Sequence, residues 1–223
     1  HNLILLDGMP IYNTNHIYGF ISGINSNAIK DIQIFNGEIP AEYGGRINSI
    51  INLTSKKGNN QRVRGEFNSN LISNSYSIES PIFSRVNFIL NHRKSNKSKY
   101  KSSLYKSIYD FTTINDEFNL IEKSSDNSKS KVSTFDPESY FSDIINRISF
   151  LINPKHNISL TNLYSIDSTK ENRLFFNLES ILGNDSTQII KTIKKENIGL
   201  STNLSSNWNS KFNTHLIFSK SDL

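Results

Sequence analysis

Apolar and polar residues alternate along most of the chain that follows residue 62. In residues 85–91, Val86, Phe88 and Leu90 fall on one face of a strand, and polar residues occupy the other. The same alternation recurs in four later segments, at about 140–152, 157–167, 198–205 and 212–219. Because successive side chains of a β-strand point to opposite faces, the pattern predicts antiparallel strands with one apolar and one polar face.

The connections between these segments differ in length. Short connections fall at 81–84, 153–156 and 209–211, whereas long polar stretches occupy about 94–139 and 169–194. Short turns on one side and long loops on the other are typical of an outer-membrane β-barrel, whose apolar face meets lipid. On that interpretation we expect five aromatic residues to lie at the membrane interfaces, the alternative being ordinary core packing: Tyr76, Tyr140, Tyr164, Trp208 and Phe212.

The first 58 residues have a different pattern, which is that of a compact, turn-rich α/β unit. A short apolar strand at 2–6 ends in Asp7-Gly8, and these two residue types favour a tight turn. A short helical segment near 25–30, capped by Asn25 or Ser26, then leads into a strand at 31–35. A closing strand is predicted at 47–54, and charged and turn-forming residues follow it.

Several motifs in this region occur in a fixed order. After Asp7-Gly8 comes the run Gly37-Glu-Ile-Pro40-Ala-Glu-Tyr43-Gly44-Gly45-Arg46, and an Ile-rich strand follows. This order resembles the plug domain of TonB-dependent outer-membrane receptors of the Bacteroidetes type. The resemblance covers residues 1–58 and implies a structural role for the motif residues: Asp7, Gly8, Gly37, Pro40, Tyr43, Gly44, Gly45 and Arg46.

Pattern and resemblance together predict a mainly β chain. Residues 1–58 are expected to form the C-terminal part of a partial α/β plug, and 59–62 a linker. Residues 63–223 are expected to form roughly the first seven antiparallel strands of an incomplete transmembrane barrel that needs about 22 to close. The chain is therefore expected to be an internal fragment of a longer protein, lacking the earlier segment that contacts the TonB-type complex.

Composition and charge narrow the function classes. Only 35% of the residues are hydrophobic, which suits strands with one polar face, and no apolar run approaches the roughly 20 residues of a membrane-spanning helix. The net charge is +5, but basic residues concentrate in a run without periodicity at 93–101, which indicates a solvated loop. We therefore expect no nucleic-acid partner.

Candidate chemistry is sparse. The five histidines lie in unrelated segments without metal-ligand spacing, and no nucleophile elbow, phosphate loop or zinc-binding helix motif occurs. Asp7 and Glu42 are two carboxylates that a catalytic pair would need, but Asp7 is better explained as a turn former. We expect no enzyme activity, no catalytic residues, no metal and no cofactor.

The resemblance implies a receptor in the cell outer membrane that imports a scarce nutrient or metal chelate, driven by a TonB-type energy-transducing complex. Candidate ligand-binding residues lie on a loop that mixes aromatic rings with hydrogen-bonding groups: Tyr12, Asn13, Asn15, His16 and Tyr18. Packing of this loop against the barrel wall is an equally good interpretation. Arg46 is expected to form a buried ion pair or hydrogen bonds in the polar lumen.

Two other classes remain open at this point. A β-rich surface or adhesion protein has the same alternation and needs no plug. A basic nucleic-acid-binding module requires its cationic residues to converge on one face.

Overall fold

The computed structural model describes residues 2–43, 49–96, 107, 130–177 and 186–223. These residues form a four-stranded sheet (the small sheet), a two-stranded ladder and a seven-stranded sheet (the large sheet). The expected mainly β architecture is confirmed. In the described part of the chain, no helix is both long enough and apolar enough to cross a membrane.

The small sheet is built from the beginning of the chain. Its strands are β1 (Leu3–Leu6), β2 (Met9–Pro10), β5 (Ile29–Asn36) and β6 (Ser49–Ser55). Their order is β2-β1-β6-β5, in which β1 and β6 are parallel and the other two pairs are antiparallel. Asp7 and Gly8 have φ values of 48° and 83° and form the predicted tight turn between β1 and β2.

Two short 3₁₀ turns supply the helical content of the described residues in this region. The first, Ile17–Gly19, lies between β3 (Asn15–His16) and β4 (Ile21–Ser22), which pair with each other. The second, Ser26–Ala28, is shorter than the predicted helical segment because β5 begins at Ile29. Of the two predicted caps, Asn25 and Ser26, the structure shows Asn25, whose side chain accepts a hydrogen bond from the Asn27 backbone N–H.

The large sheet contains seven strands in sequence order, each antiparallel to its neighbours. This agrees with the seven strands predicted from the alternation. The strands are β7 (Arg64–Ser69), β8 (Ser73–Phe83), β9 (Val86–Ser95), β10 (Ser130–Asn153), β11 (His156–Asn177), β12 (Ser186–Asn207) and β13 (Asn213–Asp222).

The predicted long loops were partly wrong. Residues 130–139, 169–177 and 186–194 continue β10, β11 and β12 rather than forming loops. Pairing continues to Ser130 with Asn177, through one register shift between Val132 and Thr134, and to Phe176 with Ser186. Backbone hydrogen bonds between neighbouring strands sustain these extensions, so they do not require the alternating pattern on which the prediction depended.

The two faces of the large sheet have opposite character, as predicted. On the face toward the small sheet (the inner face), β10 presents Asp143, Arg147 and Ser149, each at most 5% exposed. On the opposite face (the outer face), Ile148 and Phe150 are 40% and 41% exposed. The small sheet therefore covers the polar face of the large sheet and leaves the apolar face open.

A small apolar core joins the two sheets within this polar surface. Leu6, Met9 and Leu53 of the small sheet cluster with Ile145 and Leu163 of the large sheet. Gly199 on β12 makes room for Met9, since a Cβ atom there would lie 2.7 Å from the Met9 sulfur. Apolar contact thus fixes where the turn after β1 meets the large sheet.

Candidate functional site

The candidate site is the contact between the small sheet and the inner face of the large sheet. The β1–β2 turn and the loop that follows it carry polar side chains toward β9–β12. Small residues on the inner face, chiefly Ser, Thr and Asn, leave space for this approach. Two buried charged clusters dominate the contact, one centred on Asp7 and one on His16.

Asp7 lies at the centre of the first cluster and is 8% exposed. Its carboxylate accepts hydrogen bonds from the Ser55 amide at 3.0 Å, from the Ser55 hydroxyl and from the Thr161 hydroxyl at 2.6 Å. Arg147 reaches it with Nη1 at 3.3 Å and donates from Nη2 to the Ser159 hydroxyl at 2.9 Å. A turn residue of the small sheet is thereby paired with a buried cation of the large sheet.

The backbone of the same turn is also bound by the large sheet. The Asp7 carbonyl accepts from the Ser201 hydroxyl at 2.6 Å and from the Asn203 amide at 3.1 Å. The Gly8 carbonyl accepts from the Ser219 hydroxyl at 3.1 Å. Four strands, β10 to β13, therefore contribute hydrogen bonds to one two-residue turn.

His16 is the centre of the second cluster and is fully buried. Its Nε2 lies 2.8 Å from Asp143 Oδ1, and its Nδ1 lies 3.1 Å from Asp167 Oδ2. The ring also stacks on Phe141, with 4.4 Å between centroids. Since both nitrogens face carboxylates, the doubly protonated imidazolium is the form that can donate both hydrogen bonds.

Asp143 is well satisfied as an anion. Arg93 donates to its Oδ2 from Nε at 3.0 Å and from Nη2 at 2.6 Å, and the Ser165 hydroxyl donates to Oδ1 at 2.7 Å. The cluster of His16, Arg93, Asp143 and Asp167 then balances two positive against two negative charges. Burial lowers the pKa of His16, but the hydrogen bonds to Asp143 and Asp167 and their negative charges outweigh it and raise the pKa above its usual value.

Neutral amide contacts extend the interface between the clusters. Asn13 donates its backbone N–H to Asn197 Oδ1 at 3.3 Å and accepts from Asn197 Nδ2 at 2.8 Å. Asn27 donates to the Ser75 hydroxyl on β8 at 3.2 Å. The turn, the loop and the second 3₁₀ turn are each bonded to a different part of the inner face.

The structure separates the predicted ligand-binding residues into two groups. Asn13 and His16 are buried against the large sheet, in agreement with the packing interpretation. Tyr12 is 52% exposed and Asn15 is also exposed. The side chain of Tyr18 lies outside the described residues.

The structure describes some of the plug-motif residues named in the sequence analysis and not others. Asp7 and Gly8 form the turn described above, and Gly37 follows β5 with φ of 90°. The Pro40 carbonyl accepts from the Tyr43 amide at 3.0 Å, and the Tyr43 ring packs on Phe35. Gly44, Gly45 and Arg46 lie outside the described residues, as do His1 and residues 97–101 of the basic run.

Sequence reasoning missed the charged partners in the large sheet. The alternation in residues 140–152 puts Asp143 and Arg147 on the polar face of a strand, but it does not predict their pairing with His16 and Asp7. The available signal was the presence of an acid and a base on the polar face of a predicted barrel strand, where Ser and Asn prevail. Charges at such positions face the lumen and need partners.

No family model matches the chain, and no curated protein matches it. Among solved structures, it is similar to the ferric enterobactin receptor PfeA of Pseudomonas aeruginosa (11% identity, 98% of this chain and 40% of that chain, TM-score 0.47). It is also similar to the ferric-catecholate import receptor Fiu of E. coli K12 (13%, 99% and 42%, TM-score 0.49).

The siderophore receptor PirA of Pseudomonas aeruginosa is a third similar structure (14% identity, 99% of this chain and 39% of that chain, TM-score 0.45). The chain spans about two-fifths of the length of these receptor chains. A functional assignment for this chain therefore has to stand on its own geometry.

Proposed function

We propose that the chain is part of a TonB-dependent outer-membrane receptor that imports a scarce nutrient or metal chelate. In this proposal, residues 1–58 are the C-terminal part of a plug and 63–223 are wall strands of a transmembrane β-barrel. One observation carries it: the small sheet packs on the polar face of the large sheet, while the apolar face is left uncovered in the described part of the chain.

A water-soluble β-sandwich has the reverse arrangement. There, two sheets bury their apolar faces against each other and turn polar faces to solvent. In this chain the outer face exposes Leu160, Ile198 and Leu200, each above 40%. Lipid is the environment in which such a face is stable beside a polar, filled lumen.

The plug interpretation rests on the kind of contact that the small sheet makes. Its attachment combines a few apolar side chains with two charged clusters and many hydrogen bonds to hydroxyl and amide groups. Such contacts break more readily in a water-filled lumen than a continuous apolar interface does, because water can replace the hydrogen-bond partners. We propose that a TonB-type complex supplies the energy that displaces the plug.

The ligand contact is assigned within the same proposal. Tyr12 and Asn15 are exposed on the loop and can stack on or hydrogen-bond to a polar ligand. Tyr18 is included in this proposal from the sequence alone. Asn13 and His16 instead attach this loop to the wall. A bound ligand that shifts the loop would therefore act directly on the His16 cluster.

The experiment is uptake by cells that express the complete protein, with radioactive iron supplied as catecholate or hydroxamate chelates and cobalamin as a further probe. We expect the protein in the outer-membrane fraction, and uptake of at least one probe that stops when the proton gradient is collapsed. A soluble protein, or an outer-membrane protein that only adheres to surfaces and imports none of the probes, would contradict the proposal.

A further inference from the structure

A cavity lies at the end of the large sheet where the short turns are found. Its volume is about 380 Å³. The segment that leads out of the small sheet contributes Lys57, and the turn between β10 and β11 contributes Lys155 and His156. Among the described residues that line this cavity there is no Asp or Glu.

The two lysines lack counter-charges of their own. Neither ammonium group has a hydrogen bond or ion pair with a described residue. Burial, together with the positive charges of Arg147 and Lys30, lowers the pKa of Lys57 despite the negative charge of Asp7. Asp7 is itself engaged by Arg147. An anion in the cavity would relieve this excess of positive charge.

The cavity also contains hydrogen-bonding groups without partners. Ser149 is 4% exposed, and its hydroxyl has no partner among the described residues. Four amide side chains on the cavity lining make no hydrogen bond to described residues, and these belong to Asn60, Asn87, Asn157 and Asn207. Hydroxyl, amide and ammonium donors around one space match the acceptor oxygens of a multivalent oxyanion.

We propose that this cavity binds a phosphate group, either as inorganic phosphate or as the phosphate of a lipid headgroup. Lys57 and Lys155 on the cavity lining supply positive charge, and the Ser149 hydroxyl supplies a further donor. The volume exceeds what one phosphate ion fills, so the cavity also has room for a phosphate ester. Binding at this cavity does not require the transport function proposed above.

The chain contains a built-in reporter for the test. Trp208 is its single tryptophan, and its ring lies 4.8 Å from the ring of His156 between centroids. Titration of inorganic phosphate into the complete protein in maltoside micelles, at ionic strength held constant with chloride, should give a saturable change in tryptophan emission that the Trp208→Phe variant lacks. A parallel titration uses dihexanoylphosphatidylglycerol as the lipid headgroup probe.

The two titrations separate the sources of the phosphate group. Saturation by inorganic phosphate alone identifies a free oxyanion site, and saturation by the lipid alone identifies a headgroup site. Saturation by both shows that the phosphate group is sufficient. No saturable change with either probe would overturn the proposal.

Matched lysine variants test whether the phosphate group binds in this cavity. Lys155 and Lys211 both lie at short turns, but only Lys155 lines the cavity. Lys155→Gln should weaken binding by about tenfold, which is the loss expected for one charge-assisted hydrogen bond, and Lys211→Gln should leave it unchanged. Ser149→Ala should weaken binding several-fold. Equal effects of the two lysine variants would show that binding depends only on the net charge of the protein. That result would overturn the assignment of the phosphate site to this cavity.

Discussion

Asp7 combines a backbone role with an electrostatic one. Its positive φ permits the tight turn after β1, and its carboxylate is the acceptor for Ser55, Thr161 and Arg147. The pair with Arg147 is almost completely removed from water. A buried pair is costly to form, but removing one partner is costlier still, because the other charge then remains buried alone.

Replacement of Arg147 by Met should therefore destabilise the protein strongly. We expect Arg147→Met to lower the free energy of unfolding by about 3 kcal/mol or more, since it leaves the Asp7 carboxylate unpaired. The measurement is urea unfolding of the protein in lipid vesicles. Adding Asp7→Asn should recover part of the loss, as the isolated charge is then gone.

An exposed ion pair provides the control for that experiment. Lys194 and Glu196 form an ion pair in which the Lys194 side chain is 58% exposed. Lys194→Gln should leave the free energy of unfolding close to that of the parent protein, because solvent screens an exposed ion pair. A loss for Arg147→Met as small as this would contradict a stabilising role for the buried pair.

His16 should make the attachment of the small sheet depend on pH. Its pKa is raised in the folded protein, so its stabilising contribution is complete below the unfolded value of about 6.5 and is lost as the pH rises through the raised pKa. Arg93 from β9, Asp143 from β10 and Asp167 from β11 surround this contact. Attachment should thus weaken toward alkaline pH.

Thiol labelling can measure this effect because the chain contains no cysteine. Ala28 is fully buried in the core between the sheets, so Ala28→Cys should react with a maleimide only when the small sheet separates. The labelling rate, normalised to an exposed Ser210→Cys variant in the turn between β12 and β13, should rise with pH. In the Asp167→Asn background the rise should begin at lower pH. A pH-independent normalised rate would contradict a role for His16 in attaching the small sheet.

At the scale of elements, the segment that joins the two sheets runs close against β9. Gly58 has φ of 83°, and a Cβ atom there would lie 2.7 Å from the Phe88 carbonyl oxygen. Backbone, rather than a movable side chain, occupies that space. The linker therefore needs glycine at this position for both conformation and clearance.

Gly58→Ala should lower the free energy of unfolding by about 1–3 kcal/mol, through an unfavourable φ and a clash with β9. Gly65 on β7 offers the control, because a Cβ atom there meets nothing within 4 Å. Gly65→Ala should be neutral or slightly stabilising when both variants are compared by urea unfolding. Equal losses at the two positions would argue against the close approach of the linker.

Local sequence pattern predicted the elements that depend on local physics. The turn at Asp7-Gly8, the cap at Asn25 and the two faces of β9–β13 follow from residue type and a period of two. The ends of β10, β11 and β12 were not predicted, because strand pairing there continues through polar residues. A strand needs only about 9–11 residues to cross a bilayer, so β10, with 24 residues, is longer than the proposed membrane crossing requires.

The candidate site was predictable only in part, because its pairs are distant in sequence. Asp7 and Arg147 are 140 positions apart, and His16 and Asp143 are 127 apart. No local period connects such residues. The polar face of β10 showed that Arg147 would be turned inward, but only the packing of the two sheets shows that it meets Asp7.

At the scale of the whole molecule, the two sheets are arranged around a polar interface. The small sheet contributes one turn and one loop to the inner face, and the outer face carries exposed apolar side chains along successive strands. Charge, hydroxyl and amide groups are thus concentrated where the sheets meet. This distribution is the physical basis for proposing a membrane barrel with a plug.

The most direct test of that proposal compares two adjacent residues on β13. Phe218 lies on the outer face and Ser219 on the inner face, and both are exposed. Spin labels attached to Phe218→Cys and Ser219→Cys in lipid bilayers can be probed with oxygen, which concentrates in lipid, and with a water-soluble nickel chelate. We predict that oxygen relaxes the label at 218 more strongly and the nickel chelate relaxes the label at 219 more strongly. Equal access of the nickel chelate to both positions would contradict a lipid-facing outer surface.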